Sequence, residues 1–319
     1  MLTDLVFVGD PCHDHSASSG YHQLCSLFPE ASWLSGRALA EGTLSWYRRP
    51  GYADRRPAVF HVLYGDCSRT ALPAILRRRF PWARIICTAH QPAERLRQDR
   101  TAMESLSIAD AIVTVSQAQA YQLAGCGVDT PLHAIPHGVW TRSFRPPPGS
   151  TGTAREDVLL IGRHLRDWNG ARQVIDALAR NGVRPVVLGA SARANLPNAL
   201  VDARARVSES DLARLYDRSA ALFLPLLDGT ASNALLEAMA AGCPVVCPEL
   251  TSLVDEYLGD RSDSFGPGQY DVAVDRLLGH VRQPAHRSAR STVLAERAEQ
   301  FDWSRLRPRY ERLYRESLH

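Results

Sequence analysis

The stretch Leu222–Cys247, LFLPLLDGTASNALLEAMAAGCPVVC, decides the fold. Its apolar runs Leu222–Leu227 and Cys243–Cys247 predict two buried strands, because short apolar runs bounded by Gly and Pro are typical of parallel sheets. The loop between the strands is small and polar and precedes a helix: Asp228, Gly229, Thr230, Ala231, Ser232 and Asn233. Such a loop leaves the N–H groups at the helix N-terminus open to an anionic or hydroxyl-rich ligand.

Glu237 lies about one turn into that predicted helix. A carboxylate at this place can accept two hydroxyl hydrogen bonds from a sugar or a ribose. The second interpretation is an ordinary strand, loop and helix, with Ser232 as the N-cap and Glu237 on a solvent-exposed face. The two interpretations differ in where they place the Glu237 carboxylate.

The rest of the chain alternates predicted strands and helices in two halves. Strand-like runs of the first half are Asp4–Gly9, Ala58–Tyr64, Arg84–Ala89 and Ala111–Val115. Helix-like stretches there are Gly20–Phe28, Arg69–Phe80, Ala93–Leu106 and Gln117–Gly125. Strand-like runs of the second half are Asp157–Gly162, Arg184–Gly189, Ala221–Pro225 and Pro244–Cys247. This alternation predicts α/β architecture with parallel sheets covered on both faces.

The length of 319 residues suits two domains of about 150 residues each. We expect a Rossmann-like domain over residues 1–145, a second over residues 156–300, and a C-terminal helix over residues 301–319 that crosses back to the first. The Pro-rich and then Gly/Ser/Thr-rich segment Phe144–Arg155 is the predicted linker. Two doubly wound domains facing each other place a cleft at the carboxyl ends of both sheets, where open α/β sheets bind ligands.

Composition disfavours several other classes of protein. Apolar residues make up 45% of the chain and charged residues 22%, which argues against extensive disorder. No apolar run approaches the roughly 18 residues that span a bilayer, and we expect no signal peptide. The seven cysteines form no C-x-x-C pair. Scattered cysteines favour reduced core thiols in a cytoplasmic protein over a disulfide framework or a zinc site.

The net charge of +3 is small for this length, and the densest basic block is Arg77–Arg79. The sequence therefore gives little support to nucleic-acid binding. All 37 basic residues are arginine, as in proteins of high-GC bacteria. Any cation that binds phosphate in this chain is therefore Arg or His, and Arg can grip a diphosphate with two parallel hydrogen bonds.

Several segments together resemble the retaining GT-B glycosyltransferases of family 4, often called group 1. GTASNALLEAMAAGCPVV is similar to their donor-binding motif, and VLLIGRHLRDWNGARQVIDAL to the first strand, loop and helix of their C-terminal domain. IADAIVTVSQAQAYQLAGCGVD and HAIPHGVWTRSFRP resemble the end of their N-terminal domain. SESDLARLYDRSAALFLPL and the terminal FDWSRLRPRYERLYRE also fit, so the resemblance covers roughly residues 57–318 in the family's order.

The resemblance implies a GT-B fold and transfer of a glycosyl group from a nucleotide sugar to an acceptor hydroxyl, with retention of the anomeric configuration. The donor would be linked to UDP, GDP, ADP or TDP. Neither a metal nor a cofactor is expected besides this co-substrate. The resemblance assigns catalytic roles to His90, near the donor sugar, and to Arg163, on the diphosphate.

The sequence departs from the family at three places. The lysine that would complete the diphosphate clamp is Asn169 here, and Arg166 is the nearest substitute; a salt bridge from Arg166 to Asp167 or Asp211 is the alternative. The family's two glutamates stand eight positions apart, which pairs Glu237 with Gly229, so Asp228 is the nearest acidic replacement. The family's glycine pair after the first strand is Ser19–Gly20, for which the resemblance implies donor contacts.

Acceptor recognition is expected in the N-terminal half, with His15, Tyr64 and Asp66 as candidate contacts. His61 lies within a predicted strand and is expected to be structural. A zinc site at His13, His15 and His22 is disfavoured, since no acidic or cysteine partner completes it. For His90, a role in capping a turn is the alternative to contact with the donor.

The chemical class of the acceptor stays open. The aromatic residues Trp33, Trp46, Tyr47 and Tyr52 fit core packing as well as contact with a membrane surface. Two other functions also stay open. One is a non-catalytic GT-B protein that binds a nucleotide or a partner, and the other, less favoured, is a nucleotide-sugar epimerase. A nicotinamide-dependent dehydrogenase is disfavoured, because G-x-G-x-x-G follows neither first strand.

Overall fold

A computed structural model describes residues 4–10, 18–48, 58–67, 71–146, 155–183, 185–189, 196–202 and 207–318. The chain divides into two compact units. The first unit comprises Met1–His13, Gly20–Gly138 and Trp303–His319, and the second comprises Asp14–Ser19 and Val139–Asp302. The chain therefore passes from one unit to the other at Gly138, before the segment Phe144–Arg155, of which residues 147–154 lie outside the described ranges.

The first unit contains a seven-stranded sheet with the strand order β3-β2-β1-β4-β5-β6-β7. Its strands are β1 Leu5–Val8, β2 Ser32–Leu34, β3 Trp46–Arg48, β4 Val59–Val62, β5 Arg84–Ala89, β6 Ala111–Thr114 and β7 Leu132–Ala134. All neighbours are parallel except β2 and β3. The four predicted strands of this half are all present. The three others have three residues each, which is too short for a periodic apolar pattern to show.

Helices of the first unit cover the sheet. They are α1 Gly36–Ala40, α2 Leu72–Arg79, α3 Ala93–Gln98, α4 Arg100–Ser107 and α5 Gln117–Gly125, with a 3-10 helix at Tyr21–Leu27. The predicted single helix Ala93–Leu106 is wrong, because Asp99 breaks it. Asp99 has non-helical backbone angles, and its side chain accepts a hydrogen bond from the Ala102 N–H at 3.0 Å, which starts α4 as a separate helix.

The second unit contains a six-stranded parallel sheet with the order β10-β9-β8-β11-β12-β13. Its strands are β8 Asp157–Ile161, β9 Pro185–Leu188, β10 Leu200–Asp202, β11 Ser219–Phe223, β12 Val245–Pro248 and β13 Ser264–Phe265. This is the Rossmann order 3-2-1-4-5-6, in which the direction of strand addition reverses between β8 and β11. Loops that leave the carboxyl ends of these two strands therefore flank the expected ligand position.

Helices cover both faces of the second sheet. They are α6 Trp168–Arg180, α7 Glu209–Arg218, α8 Asn233–Ala240, α9 Tyr270–Arg282 and α10 Pro284–Ala298, with 3-10 turns at Thr141–Ser143 and Glu299–Phe301 and a π-helical turn at Ser252–Leu258. Successive residues of β8 join different apolar clusters: Leu159 packs with α8, whereas Val158 and Leu160 pack with α6 and α9. A strand that is buried on both faces explains why its sequence is continuously apolar.

The last helix, α11 Trp303–Ser317, belongs to the first unit. Its buried face consists of Trp303, Leu306, Tyr310, Leu313 and Tyr314, which recur at helical spacing. Among the residues that the structure describes, no helix has the length and apolar character needed to cross a membrane. The cysteines within the described ranges are free thiols.

Candidate functional site

Two loops of the second unit meet where the strand order reverses. The loop after β8 contacts the loop after β11 through two main-chain hydrogen bonds, from Asp167 N to Pro225 O at 2.8 Å and from Leu227 N to Leu165 O at 2.9 Å. Leu165 has a φ of +54°, a conformation that costs free energy for a side chain of this type. These bonds hold the strained loop next to the loop that carries Asp228 to Ser232.

Arg163 and Arg166 have different environments in this loop. The Arg163 side chain is exposed, and it has no ion pair or hydrogen bond to a residue within the described ranges. Arg166 is half-buried, and its guanidinium donates to Ile161 O at 2.6 and 3.1 Å and to His164 O at 2.9 Å. Burial lowers the pKa of Arg166 to about 10, so the side chain is still charged near neutral pH. Of these two arginines, Arg163 is therefore the one whose charge is available to a ligand.

The expected substitution of Arg166 for the missing lysine is not supported by this geometry. Three of its N–H groups bond main-chain carbonyls of its own loop, which makes Arg166 a support of that loop. The alternative salt bridge is also wrong. Asp167 instead caps α6 by accepting from Gly170 N at 3.0 Å and accepts a short hydrogen bond from Tyr270 OH, and Asp211 pairs with Arg214. Asn169 lies exposed in the first turn of α6.

The N-terminus of α8 has the properties expected of an anion site. Ser232 is its N-cap, and Ser232 Oγ accepts from Leu235 N at 3.4 Å. Ala231, Ser232 and Asn233 are half-buried, whereas Thr230 is buried. The N–H groups of the first turn carry the positive end of the helix dipole, which favours an anionic group.

Asp228 and Gly229 begin this loop and are both half-buried. Asp228 Oδ1 accepts from Gly229 N at 2.7 Å, and Gly229 O accepts a short hydrogen bond from Ser252 Oγ. No hydrogen bond to a described residue occupies Asp228 Oδ2. Asp228 thus offers one carboxylate oxygen to a ligand, one position before the place of the family's first glutamate.

Glu237 is buried in α8, with 3% of its surface exposed. Its Oε2 accepts a hydrogen bond from Tyr216 OH at 2.8 Å, and its Oε1 accepts a short one from Ser19 Oγ. Ser19 is itself fully buried and belongs to the second unit. The interpretation that places Glu237 on a solvent-exposed face is therefore wrong. Glu237 was expected to bind the ribose, but each of its two carboxylate oxygens accepts a hydrogen bond from a protein side chain.

Three aromatic rings lie next to His90 in the first unit, and a fourth packs against two of them. Its ring centroid lies 4.7 Å from those of Tyr21 and Tyr64 and 6.3 Å from that of His137, and Trp303 packs against Tyr21 and His137. His90 Nε2 lies 2.8 Å from Leu63 O, which fixes the proton on Nε2. His90 is half-buried and directly follows β5.

Asp66 is a buried support of the loop at His90 and Gln91. This corrects its expected role in contacting the acceptor. Asp66 is 3% exposed, and its Oδ2 accepts from the main-chain N–H groups of His90 and Gln91, each at 2.7 Å. Tyr64 is half-buried against His90. Gly20 precedes the 3-10 helix at Tyr21–Leu27 with extended backbone angles. His15, the remaining candidate, lies outside the described residues, as does His13.

His61 is structural, as the sequence predicts. Its two ring nitrogens lie 2.7 Å from Tyr314 OH and 2.7 Å from Thr88 Oγ1, in a fully buried position. Trp33 Nε1 donates to Gly9 O at 3.0 Å, and Trp46 packs against the core of the first unit. Core packing therefore explains these two aromatic residues.

Sequence reasoning missed several residues of these sites. Tyr21 and His137 contact His90, Trp303 packs against both of them, and Tyr216 contacts Glu237. Each of these pairs is at least 21 positions apart along the chain, so no local spacing could reveal the contacts. For His137, the segment HAIPHGVW contained a usable signal. It resembles the end of the family's N-terminal domain, and His137 directly precedes Gly138, where the chain leaves the first unit.

A group of metal-type ligands lies elsewhere in the second unit. Ligand atoms of Asp263, His280 and His286 lie within 4.8 Å of one another. However, the two oxygens of Asp263 already bond His280 Nε2 at 2.8 Å and Arg290 Nε at 2.6 Å. Burial opposes ionisation of Asp263, but these partners outweigh it and lower its pKa. We interpret the group as a buried ion network that joins β13, α9 and α10.

Comparisons with known proteins agree with this architecture. Residues 155–266 match the family model described as glycosyl transferases group 1. The structure is similar to sucrose-phosphate synthase from Thermosynechococcus elongatus, with a TM-score of 0.73, 16% identity and 98% of each chain covered. It is also similar to HepE of Anabaena, solved in complex with UDP, with a TM-score of 0.69, 15% identity and coverage of 97% and 98%.

A third similar structure is a glycosyltransferase from Rickettsia africae, with a TM-score of 0.67, 12% identity and 98% of each chain covered. No curated protein matches the sequence. At these identities the structural likenesses establish the fold, and the segment that matches the family model contains Arg163 and Asp228–Glu237. The chain therefore has a two-domain, Rossmann-like GT-B fold, and its residues 155–266 are similar to the group 1 glycosyl transferases.

Proposed function

We propose that this protein transfers a glycosyl group from a nucleoside-diphosphate sugar to an acceptor hydroxyl, with retention at the anomeric carbon and without a metal ion. The observation that carries this proposal is the juxtaposition of the exposed Arg163 loop with the loop that leads into α8, at the reversal of the strand order. The Arg163 guanidinium, the N-terminus of α8 and the Asp228 Oδ2 atom thus all lie on loops at the carboxyl end of the second sheet.

Each of these groups has a use in sugar transfer. Arg163 and the N–H groups at Ser232 and Asn233 would stabilise the negative charge that develops on the departing diphosphate. Asp228 Oδ2 would accept hydrogen bonds from the donor sugar's hydroxyls. On this proposal the acceptor oxygen attacks from the face that the diphosphate leaves, which retains the configuration without a protein nucleophile.

His90 would contact the donor sugar or the acceptor. Its main-chain N–H bond to Asp66 and its Nε2 bond to Leu63 O hold the imidazole in one orientation. A fixed orientation favours a positioning hydrogen bond, since less side-chain freedom is lost on binding. Tyr64, next to His90, would line the same surface.

We expect a uridine nucleotide to bind, because a structural neighbour was solved with UDP. The test is a thermal-shift series with UDP, GDP, ADP and TDP and their sugar conjugates. A ligand at 100 times its dissociation constant stabilises a protein by about 2.7 kcal/mol, which raises the melting temperature of a chain of this size by about 4 °C. One nucleotide that stands out would identify the base of the donor, and adenosine would serve as a control for stacking alone. The absence of any shift would contradict the proposed donor site.

Activity is expected to persist in excess EDTA. Arg163 and the α8 amides supply the positive charge that a divalent cation would otherwise supply to the diphosphate. The measurement is the rate of sugar release from the donor identified above, with and without excess EDTA. Complete loss of the rate, restored by Mg²⁺ or Mn²⁺, would show that a metal takes this role.

A non-catalytic GT-B protein is the second candidate, and two observations favour it. Arg166 is committed to main-chain carbonyls, and both oxygens of Glu237 have protein partners. Such a protein would bind the nucleotide without releasing sugar from any conjugate. The thermal-shift series followed by a turnover assay with the best ligand separates the two functions.

A further inference from the structure

The C-terminal end of α2 and the turn after it form a basic surface on the first unit. From Ala71 to Arg84 the chain has four arginines and no acidic residue. Arg78 and Arg79 end α2, and both are exposed without a hydrogen bond or ion pair to a described residue. Cations near a helix C-terminus stabilise the helix, which accounts for part of this clustering. Their guanidinium groups nevertheless face the solvent, so an anionic partner can reach them.

Arg77, by contrast, is used within the unit and holds the turn in place. Its guanidinium donates to Ala83 O at 3.0 Å and to Asp110 Oδ2 at 2.7 Å. Arg84 also pairs with Asp110, at 3.3 Å. Burial opposes the ionisation of Asp110, but the Ile85 N–H and then the Arg77 guanidinium outweigh this effect and lower its pKa. The Asp110 charge is thus matched by two cations, and the surface around it stays positive.

An exposed tryptophan is fixed beside these arginines. Trp82 has 53% of its surface exposed. Its ring meets that of Phe80 edge to face, with centroids 5.7 Å apart, and Phe80 packs on the buried Phe60 at 4.8 Å. Ala83 N donates to Phe80 O at 3.1 Å, which closes the turn that carries Trp82. Since the fold already holds the ring, less conformational freedom is lost when a partner covers it.

We propose that Arg78, Arg79, Trp82 and Arg84, named the Arg–Trp patch, bind the surface of a membrane that contains anionic phospholipids. Arginine binds phosphate groups through paired hydrogen bonds, and basic clusters are attracted by the negative surface potential of such membranes. A tryptophan ring is amphipathic and prefers the depth of the lipid headgroups. Single-stranded nucleic acid also uses arginines and aromatic rings, but it stacks successive bases on several rings, and the patch has one.

The Arg–Trp patch is separate from the loop that contains His90. Arg84 begins β5 and His90 directly follows it, so the six residues of this strand place the two about 20 Å apart. Trp33 and Trp46, which the sequence offered for contact with a membrane, pack within the first unit instead. The inference therefore uses a different surface from the candidate site and does not rest on the proposed function.

Co-sedimentation of the full chain with vesicles tests the proposal. The vesicles are phosphatidylcholine alone, or phosphatidylcholine with about 30% phosphatidylglycerol, which makes their surface negative. We expect binding to the second kind only, and weaker binding at higher salt, because ions screen the attraction. Arg78→Gln/Arg79→Gln should bind roughly 30-fold more weakly, which is about fivefold for each lost charge. Trp82→Ala should bind about tenfold more weakly, because less apolar surface leaves water.

Each variant has a matched control in the same unit. Arg305→Gln/Arg312→Gln removes two exposed arginines of α11 that have no ion pair or hydrogen bond to a described residue. Tyr121→Ala removes an aromatic ring that is 71% exposed on α5. Both control variants should bind the anionic vesicles as the unmodified protein does. An equal loss of binding in the arginine control would show attraction by the overall charge and would overturn the patch.

Two further outcomes overturn the proposal. One is the absence of binding to the anionic vesicles. The other is tighter binding to a single-stranded RNA that the same two variants lose, since it would identify a nucleic acid as the partner. If Trp82→Ala lowers the melting temperature, Arg78→Gln/Arg79→Gln still decides, because neither arginine has a described partner to lose. The experiment contains no nucleotide and no acceptor, so its result is independent of any glycosyl transfer.

Discussion

Replacement of Arg163 by Ala is expected to lower the turnover number by roughly 100- to 1000-fold without lowering the melting temperature. A preorganised donor that is aimed at developing negative charge contributes about 2.7–4 kcal/mol to the transition state. Arg163 is exposed and carries no ion pair to a described residue, so its removal leaves no buried group without a partner. The turnover number with saturating donor and the thermal unfolding midpoint are the two measurements.

Two variants control this prediction. Arg163→Lys keeps the charge but loses the paired geometry of the guanidinium, so we expect an intermediate rate. Arg166→Ala should show the opposite pattern, with reduced stability, because it removes the donors that satisfy the carbonyls of Ile161 and His164. A turnover number for Arg163→Ala near that of the unmodified protein would show that another group stabilises the diphosphate.

The pair Arg163 and Arg166 shows where sequence reasoning reaches its limit in the site. Both are arginines in one loop. The family resemblance assigns Arg163 to the diphosphate and leaves Arg166 as the nearest substitute for the missing lysine, with a salt bridge as its alternative role. The loop reverses at Gly162, with a φ of +90°, and at Leu165, and this turn brings the Arg166 guanidinium back onto the Ile161 carbonyl. Backbone angles of this kind at a leucine are not encoded in any simple pattern, so the choice between the two arginines needs the structure.

Much of the fold could be predicted, because parallel strands buried on both faces are apolar along their whole length. All eight predicted strands are present. Strands β2, β3, β7, β10 and β13 were missed because two or three residues cannot show a period. The single helix over residues 93–106 was wrong because an Asp can either cap a helix or stand within one. Local propensity alone predicts neither the short strands nor the helix break at Asp99, because both depend on packing with the rest of the unit.

Burial of the acidic residues could not be predicted for a related reason. Glu237 and Asp66 are both almost fully buried, and each is stabilised by partners distant in the chain: Ser19 and Tyr216 for Glu237, and the N–H groups at His90 and Gln91 for Asp66. A buried carboxylate is stable only when such donors surround it. The sequence shows the carboxylate but not the donors, so it predicted two ligand contacts where the structure has two internal supports.

Acid is expected to lower the free energy of unfolding of the first unit through His61. The substitution His61→Gln should reduce this loss of stability at low pH. Burial, and then the charge of His90, lower the pKa of His61 from 6.5 to about 3. The unfolded chain therefore binds a proton at His61 between about pH 6.5 and pH 3, whereas the native protein does not. The free energy of unfolding that His61 contributes is present above pH 6.5 and is lost as the pH falls through this window, by about 2 kcal/mol at pH 5 and about 4 kcal/mol at pH 3.

Urea unfolding of the unmodified protein and of His61→Gln at pH 7 and at pH 5 measures this difference. Gln cannot titrate, and its amide can still meet Tyr314 OH and Thr88 Oγ1, which bond the imidazole nitrogens in the native protein. The variant should be less stable at pH 7 but should lose about 2 kcal/mol less between the two pH values. His164→Gln, which removes an exposed histidine, should leave that pH-dependent loss unchanged. Equal losses in the His61→Gln variant and the unmodified protein would show that the buried imidazole takes up its proton in the native state, and that the pair formed with Tyr314 accommodates the charge.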